Sequence, residues 1–120
     1  MHNFKELVVW QKSRKIVKKI YDLSEKFPEK EKYGLTSQIR RAAVSIPANI
    51  AEGCGSDSNK ELIRYLGISM SSSYELETHM YLAFDLQYLF KNELEEVLEE
   101  LSEIQKMIVG FKNKLNSSNS

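Results

Sequence analysis

The chain is short of almost everything that punctuates or cross-links a fold. Its one cysteine, Cys54, excludes an internal disulfide and any multi-cysteine metal site. Five glycines and two prolines in 120 residues are too few for a turn-rich β architecture. No apolar run approaches the roughly twenty residues of a membrane span. The first apolar patch, Leu7 to Trp10, is also far too short for a signal core, so the expected compartment is the cytoplasm, with no membrane partner. Histidine is nearly missing too. His2 lies in the terminus and His79 stands alone on a helix, so neither a His-Glu-x-x-His run nor a carboxylate–histidine set is present to hold a metal. No cofactor, no metal and no catalysis are expected.

What is present is ordinary for one soluble domain: 42% hydrophobic and 28% charged residues, with a net charge of zero. That zero conceals an asymmetry. Residues 1–60 carry 12 Lys and Arg against 7 Asp and Glu, while residues 61–120 carry 5 against 10. Such a split marks either a nucleic-acid surface or two halves that neutralise each other on folding.

Hydrophobic periodicity predicts four helices, over about 6–27, 36–52, 59–90 and 93–115, with a disordered tail over 116–120. In the first, Val9, Trp10, Ser13, Ile16, Val17, Ile20, Leu23 and Phe27 recur at three- and four-residue steps, and Pro28 stops it. Ser58 with Glu61 has the form of a capping box opening the third, and Asn92 with Glu95 that of the fourth. Short connections between four such helices imply an all-α, antiparallel, up-down-up-down four-helix bundle. That topology sets the glutamate-rich start of the last helix beside Lys19 and Lys26. It gathers Lys5, Lys12, Arg14 and Lys15 with Lys60, Arg64, Lys112 and Lys114 at the other end, which carries the Gly53–Asp57 loop.

The second helix is unusual. Leu35, Ile39, Ala42, Ile46 and Ile50 form one apolar stripe, while Val44, Ala48 and Ala51 lie nearly opposite. A helix apolar on two faces needs two surfaces to pack against, which makes Val44, Ala48 and Ala51 the candidate oligomer interface. Pro47 falls inside it, and a helix kinked there but continuous is expected because the stripe keeps its phase. Asn49 and Glu52 then serve to satisfy opened backbone and close the loop.

Of the chemistry-bearing residues, His79 reads as a surface or core-edge side chain and Cys54 as an incidental loop thiol between two glycines. Gly53-Cys-Gly lacks the preceding strand and the Gly-Lys-Ser/Thr ending of a phosphate loop. Glu75 and Glu77 lie two apart on a helix and point different ways. Nucleic-acid binding has more behind it. Lys12, Arg14, Lys15, Lys18 and Lys19 make a dense basic arc, Arg40 and Arg41 offer bidentate phosphate contacts, and Lys60 and Arg64 add to the basic end. Against it, no aromatic residue reads as interleaved with these cations to stack bases. A protein-interaction scaffold with no nucleic-acid role is the alternative.

Three stretches carry a family likeness: Phe4-Lys-Glu-Leu-Val-Val-Trp-Gln11, Tyr33-Gly-Leu-Thr-Ser-Gln-Ile-Arg-Arg41, and above all Ala43-Val-Ser-Ile-Pro-Ala-Asn-Ile-Ala-Glu-Gly53. Ser73-Tyr-Glu-Leu-Glu77 adds a fourth. Through them almost the whole chain resembles the four-helix-bundle proteins first recognised as products of intervening sequences in bacterial 23S ribosomal RNA genes. The resemblance implies a homo-oligomer built as a ring of five, without enzymatic activity. Accessory proteins of diversity-generating retroelements look similar in fold. They bind nucleic acid and a reverse transcriptase through basic surfaces, so RNA or single-stranded DNA and a reverse transcriptase are the partners the likeness implies.

Overall fold

The computed structural model describes residues 2–119, with side chains as far as Ser117. Four helices account for most of them: α1 (Val8–Ser24), α2 (Leu35–Cys54), α3 (Asn59–Asp85) and α4 (Lys91–Asn119), with short 3₁₀ turns at Phe4–Glu6 and Glu29–Glu31. No strand occurs among the described residues. Each helix packs against the next and α4 returns to α1, the neighbour pattern of a four-helix bundle. Cross-helix pairs fix the directions. Lys12 meets Glu103, Lys19 meets Glu100 and Lys26 meets Glu93, so α1 and α4 run antiparallel. Ser45 meets Ser72 and Gly53 lies against Leu62, so α2 and α3 do as well. His2, Leu7, Val9, Asn59, Phe111 and Leu115 line one apolar cleft, which joins the starts of α1 and α3 to the end of α4.

The stripes expected on α1 and α2 enter the core, whereas Leu86 and Phe90, which a longer third helix would have placed on its core face, are exposed. Ile16 and Ile20 from α1, Ile39, Ile46 and Ile50 from α2, Leu66, Leu76 and Met80 from α3, and Val97, Leu101, Ile104 and Ile108 from α4 are all essentially inaccessible to solvent. Small residues bring α2 and α3 together. A Cβ on Gly53 would come within 2.8 Å of both Leu62 and Tyr65, so only glycine lets the helices approach this closely. Ser69 donates to the Ile46 carbonyl at 2.9 Å across the same seam.

α2 is continuous through Pro47. The proline has no N–H to donate, and the polar groups around it are tied into one cluster. Asn49 Nδ2 donates to the Ser45 carbonyl at 2.8 Å and to Ser45 Oγ at 2.9 Å, and Ser45 Oγ lies 2.8 Å from Ser72 Oγ. Asn49 thus bonds Ser45 one turn back, not the Ala43 carbonyl that Pro47 leaves without its helical donor.

The structure corrects several boundaries. α1 ends at Ser24, short of Phe27, and α3 ends at Asp85 where continuation to residue 90 was expected. The stop at α3 is a Schellman motif. Gln87 takes φ 67°. Its N–H bonds to the Phe84 carbonyl at 2.9 Å, and the Tyr88 N–H reaches the Ala83 carbonyl at 2.9 Å. With glutamine where glycine is usual, no sequence signal marks it. α4 is capped at Phe90, whose N–H is taken by Glu93 Oε1 at 2.9 Å, so Asn92 is not the cap. Its helix continues through Asn116 and Ser117 to Asn119, where a disordered tail was expected; Ser120 lies outside the described residues. Ser58 does cap α3, accepting from the Glu61 N–H at 3.2 Å, but the Glu61 carboxylate turns to Arg64 and does not reach back.

Candidate nucleic-acid interface

The nine candidate basic residues do not form one surface. Helical periodicity deals them to five places. Lys12 and Lys19 face α4: Lys12 lies 3.8 Å from Glu103, and Lys19 bridges Glu96 and Glu100, the latter at 2.8 Å. Partial burial works against the charge on Lys19, but the hydrogen bonds to the two glutamates outweigh it and hold its pKa above the usual lysine value. Arg40 ties α1 to α2, donating to Ser24 Oγ at 2.8 Å and Glu25 at 3.2 Å and lying over the Tyr21 ring. Arg41 is exposed on the outer side of α2. Lys60 and Arg64 sit on the first turns of α3, Arg64 paired with Glu61 at 3.1 Å and stacked over Tyr65.

Arg14, Lys15 and Lys18 remain together. With Phe4, Lys5, Trp10 and Gln11 they line an open groove of about 820 Å³. Four of its seven lining residues are cationic and none is acidic. The 3₁₀ turn Phe4–Glu6 forms one wall and α1 the other. That turn is held firmly: Asn3 Oδ1 accepts from the Lys5 N–H at 3.2 Å, and Gln11 Nε2 donates to the Lys5 carbonyl at 2.8 Å. Phe4 meets Trp10 edge-to-face with ring centres 5.1 Å apart, and the Arg14 guanidinium lies 5.5 Å over the Trp10 ring. The reading that no aromatic is interleaved with the cations is therefore wrong. Trp10, Arg14 and Lys18 stand at four-residue steps on one face of α1. The signal was in the spacing, and assigning Trp10 wholly to the core hid it.

On the outer side of α2, Val44 is 41% exposed, Ala48 is exposed and Ala51 is half-buried. A shallow groove beside them is lined by Tyr21, Lys32, Tyr33, Arg40, Arg41 and Val44. Sequence alone had separated Arg40 and Arg41 from the apolar residues they adjoin.

The remaining candidates are structural. Cys54 is not in a loop but is the last residue of α2, 2% exposed, and burial pushes its thiol pKa up, away from the reactive thiolate. Gly53 is likewise buried within the helix. His79 Nε2 lies 3.3 Å from Glu75, and Glu77 accepts from Gln105 at 3.0 Å, so the two glutamates do point apart. Among the described residues no three His, Cys, Asp or Glu side chains gather as a metal site, and no helix is long and apolar enough to cross a membrane.

Comparison with known proteins places the fold in a family. The family model of the 23S rRNA-intervening sequence protein matches residues 5–110. The chain belongs to that family. Among solved structures the chain is similar to a crystal structure of a protein of unknown function from the S23 ribosomal protein family of Bacteroides thetaiotaomicron. It is 26% identical, with a TM-score of 0.81 over 88% of this chain and 98% of the other. No curated protein matches the chain. The match of this intervening-sequence family member spans α1 to α3 and most of α4, so it includes the outer side of α2 and all of the basic groove except Phe4.

Proposed function

We propose that this protein is a non-enzymatic, homo-oligomeric nucleic-acid-binding bundle whose contact surface is the groove between the Phe4–Glu6 turn and α1. The observation that carries the reading is the lining itself: Lys5, Arg14, Lys15 and Lys18 with no acidic residue among them, beside Trp10 and Phe4. Cations of this kind gain affinity by displacing counterions from phosphates. The family takes its name from an intervening sequence of ribosomal RNA, which makes RNA the first ligand to test, single-stranded DNA the second and a reverse transcriptase the protein partner to try. No cofactor is required, and the cytoplasm is the compartment in which such a complex forms.

Self-association through Val44, Ala48 and Ala51, in a ring of five, completes the proposal. What supports it is an apolar strip on the outer side of α2, with Val44 and Ala48 exposed and Ala51 half-buried. A ring multiplies the field of each groove, so weak single contacts add up. Light scattering of the whole chain should give a multiple of the chain mass, and Ala48→Glu should return it to one chain with its helical circular dichroism intact. A wild-type chain that runs as a monomer ends this part.

The decisive experiment is fluorescence anisotropy of a labelled RNA at low salt, where exposed electrostatics are strongest. Binding that weakens steeply with added salt is expected. If no binding occurs while the oligomer persists, the scaffold reading takes its place. Its own support is the exposed apolar surface, including Tyr33 at 88% and Phe90 at 71% exposure.

A further inference from the structure

We propose that the groove beside Trp10 selects an unpaired base, so that the protein prefers single-stranded nucleic acid to duplex. This rests on the nucleic-acid reading above and adds to it the class of ligand.

Phosphate attraction alone has no use for rings. An outward helix face with lysines and an arginine at its turns would suffice, and it would treat duplex and single strand much alike. Here the cations surround a built aromatic pair. Trp10 and Phe4 are partly buried, so a ligand must reach into the groove to touch them. The bases of a duplex are stacked on one another, and their faces are not offered to a side chain. An unpaired base has a free π-face, which stacks on an indole, a phenyl ring or a guanidinium plane. All three lie together, Phe4 at 5.1 Å and Arg14 at 5.5 Å from the Trp10 ring.

The wall is also ordered in advance. Asn3 caps the 3₁₀ turn through the Lys5 N–H, Gln11 clamps the Lys5 carbonyl from α1, and the Leu7 N–H returns to the Phe4 carbonyl at 3.0 Å. Little conformational freedom remains to be lost when a base enters. Lys5 stands on the turn and Arg14, Lys15 and Lys18 on the helix, so phosphates on either side of the inserted base meet a cation. The arrangement is sequence-tolerant, because every base presents a π-face.

Trp10 is the sole tryptophan, so its emission reports on this groove without any label. The whole chain is titrated at low salt with a short oligouridylate and, separately, with an RNA duplex of equal length. The single strand should quench Trp10 and bind about tenfold more tightly than the duplex, the increment of one stacked base. Trp10→Leu should bring single-strand affinity, read by anisotropy, down to the duplex level, and Trp10→Phe should restore most of it. Circular dichroism shows whether each variant is folded, and quenching of the unaltered chain needs no variant. Equal affinity for the two ligands with unchanged Trp10 emission overturns the inference while leaving nucleic-acid binding in place. Absence of binding to either overturns both.

Discussion

The two flanks of α1 are built from the same residue type, yet one is neutralised and the other is not. Lys12, Lys19 and Lys26 recur seven apart and meet Glu103, Glu100 with Glu96, and Glu93, a stripe on α4 spaced by three and four. On the outer flank Arg14 and Lys18 have Asp22 close by, held by Lys18 at 2.8 Å, while Lys15 borders both sides and also lines a small pocket with Glu100 and Glu103. Helical spacing decides which side of α1 a lysine takes. Only the neighbouring helix decides whether its charge is spent there. The excess positive charge of the first half is thus partly cancelled by the second, as one reading of the charge split required. Part of what survives is gathered beside Trp10. A count of basic residues overstates the available surface, because the seam lysines belong to the fold.

The largest effect expected from breaking this contrast is on binding. Reversing the charges with R14E, K15E and K18E together should weaken RNA binding on the order of a hundredfold at low salt, with the helical circular dichroism retained. Each flank cation removed singly should flatten the dependence of log K on log salt by about 0.7, the value for one single-strand phosphate contact. A seam variant such as Lys19→Ala should leave that slope alone. If Lys19→Ala costs as much affinity as the outer triple, the two flanks are not functionally distinct.

The next effect is on stability. Lys19 is half-buried between two carboxylates, so Lys19→Ala leaves Glu96 and Glu100 facing each other without their cation. Urea denaturation should show a loss of about 1 kcal/mol, the upper range for a pair this close to solvent. Lys18→Ala, on the outer flank, should fall within a few tenths of wild type by the same argument.

These contrasts also show which features sequence could reveal. The core stripes were legible because burial follows the 3.6-residue period without exception in Ile16, Ile20, Ile39, Ile46 and Ile50. The seam was legible in principle, since lysines seven apart and glutamates three and four apart are complementary stripes. The groove was not, because its second wall is a three-residue 3₁₀ turn whose position depends on Gln11 reaching back six residues. No periodicity encodes such a contact. The end of α3 was hidden for another reason. Gln87 adopts a left-handed backbone that side-chain-bearing residues seldom take, and tertiary packing of Tyr88 on Phe27 and Glu31 accompanies it. Cys54 was misplaced because Gly53 looked like a helix end, when its missing side chain instead serves the contact with Leu62 and Tyr65.

The smallest effect isolates a single charge of the seam. Burial pushes the Glu93 carboxyl up, but the ion pair with Lys26 and the Phe90 N–H together outweigh it and hold the pKa below the ordinary glutamate value of 4.5. A carboxyl lowered on folding contributes stability that is fully present above its unfolded pKa and is lost as pH falls through the folded one. Lys19, raised on folding, contributes in the opposite sense: its share is complete below 10.5 and fades as pH rises beyond that. Between these limits the seam is at full strength. Glu93→Gln keeps an oxygen for the Phe90 N–H and removes only the charge. It should lower stability modestly at neutral pH and make the decline below about pH 4.5 shallower, read as the slope of unfolding free energy against pH. Lys18→Ala on the outer flank should leave that slope as it is, since an exposed pair contributes little. An unchanged slope in Glu93→Gln would mean that the Lys26 pair does not hold this end of α4 to α1, and that packing of Leu94 and Val97 alone does.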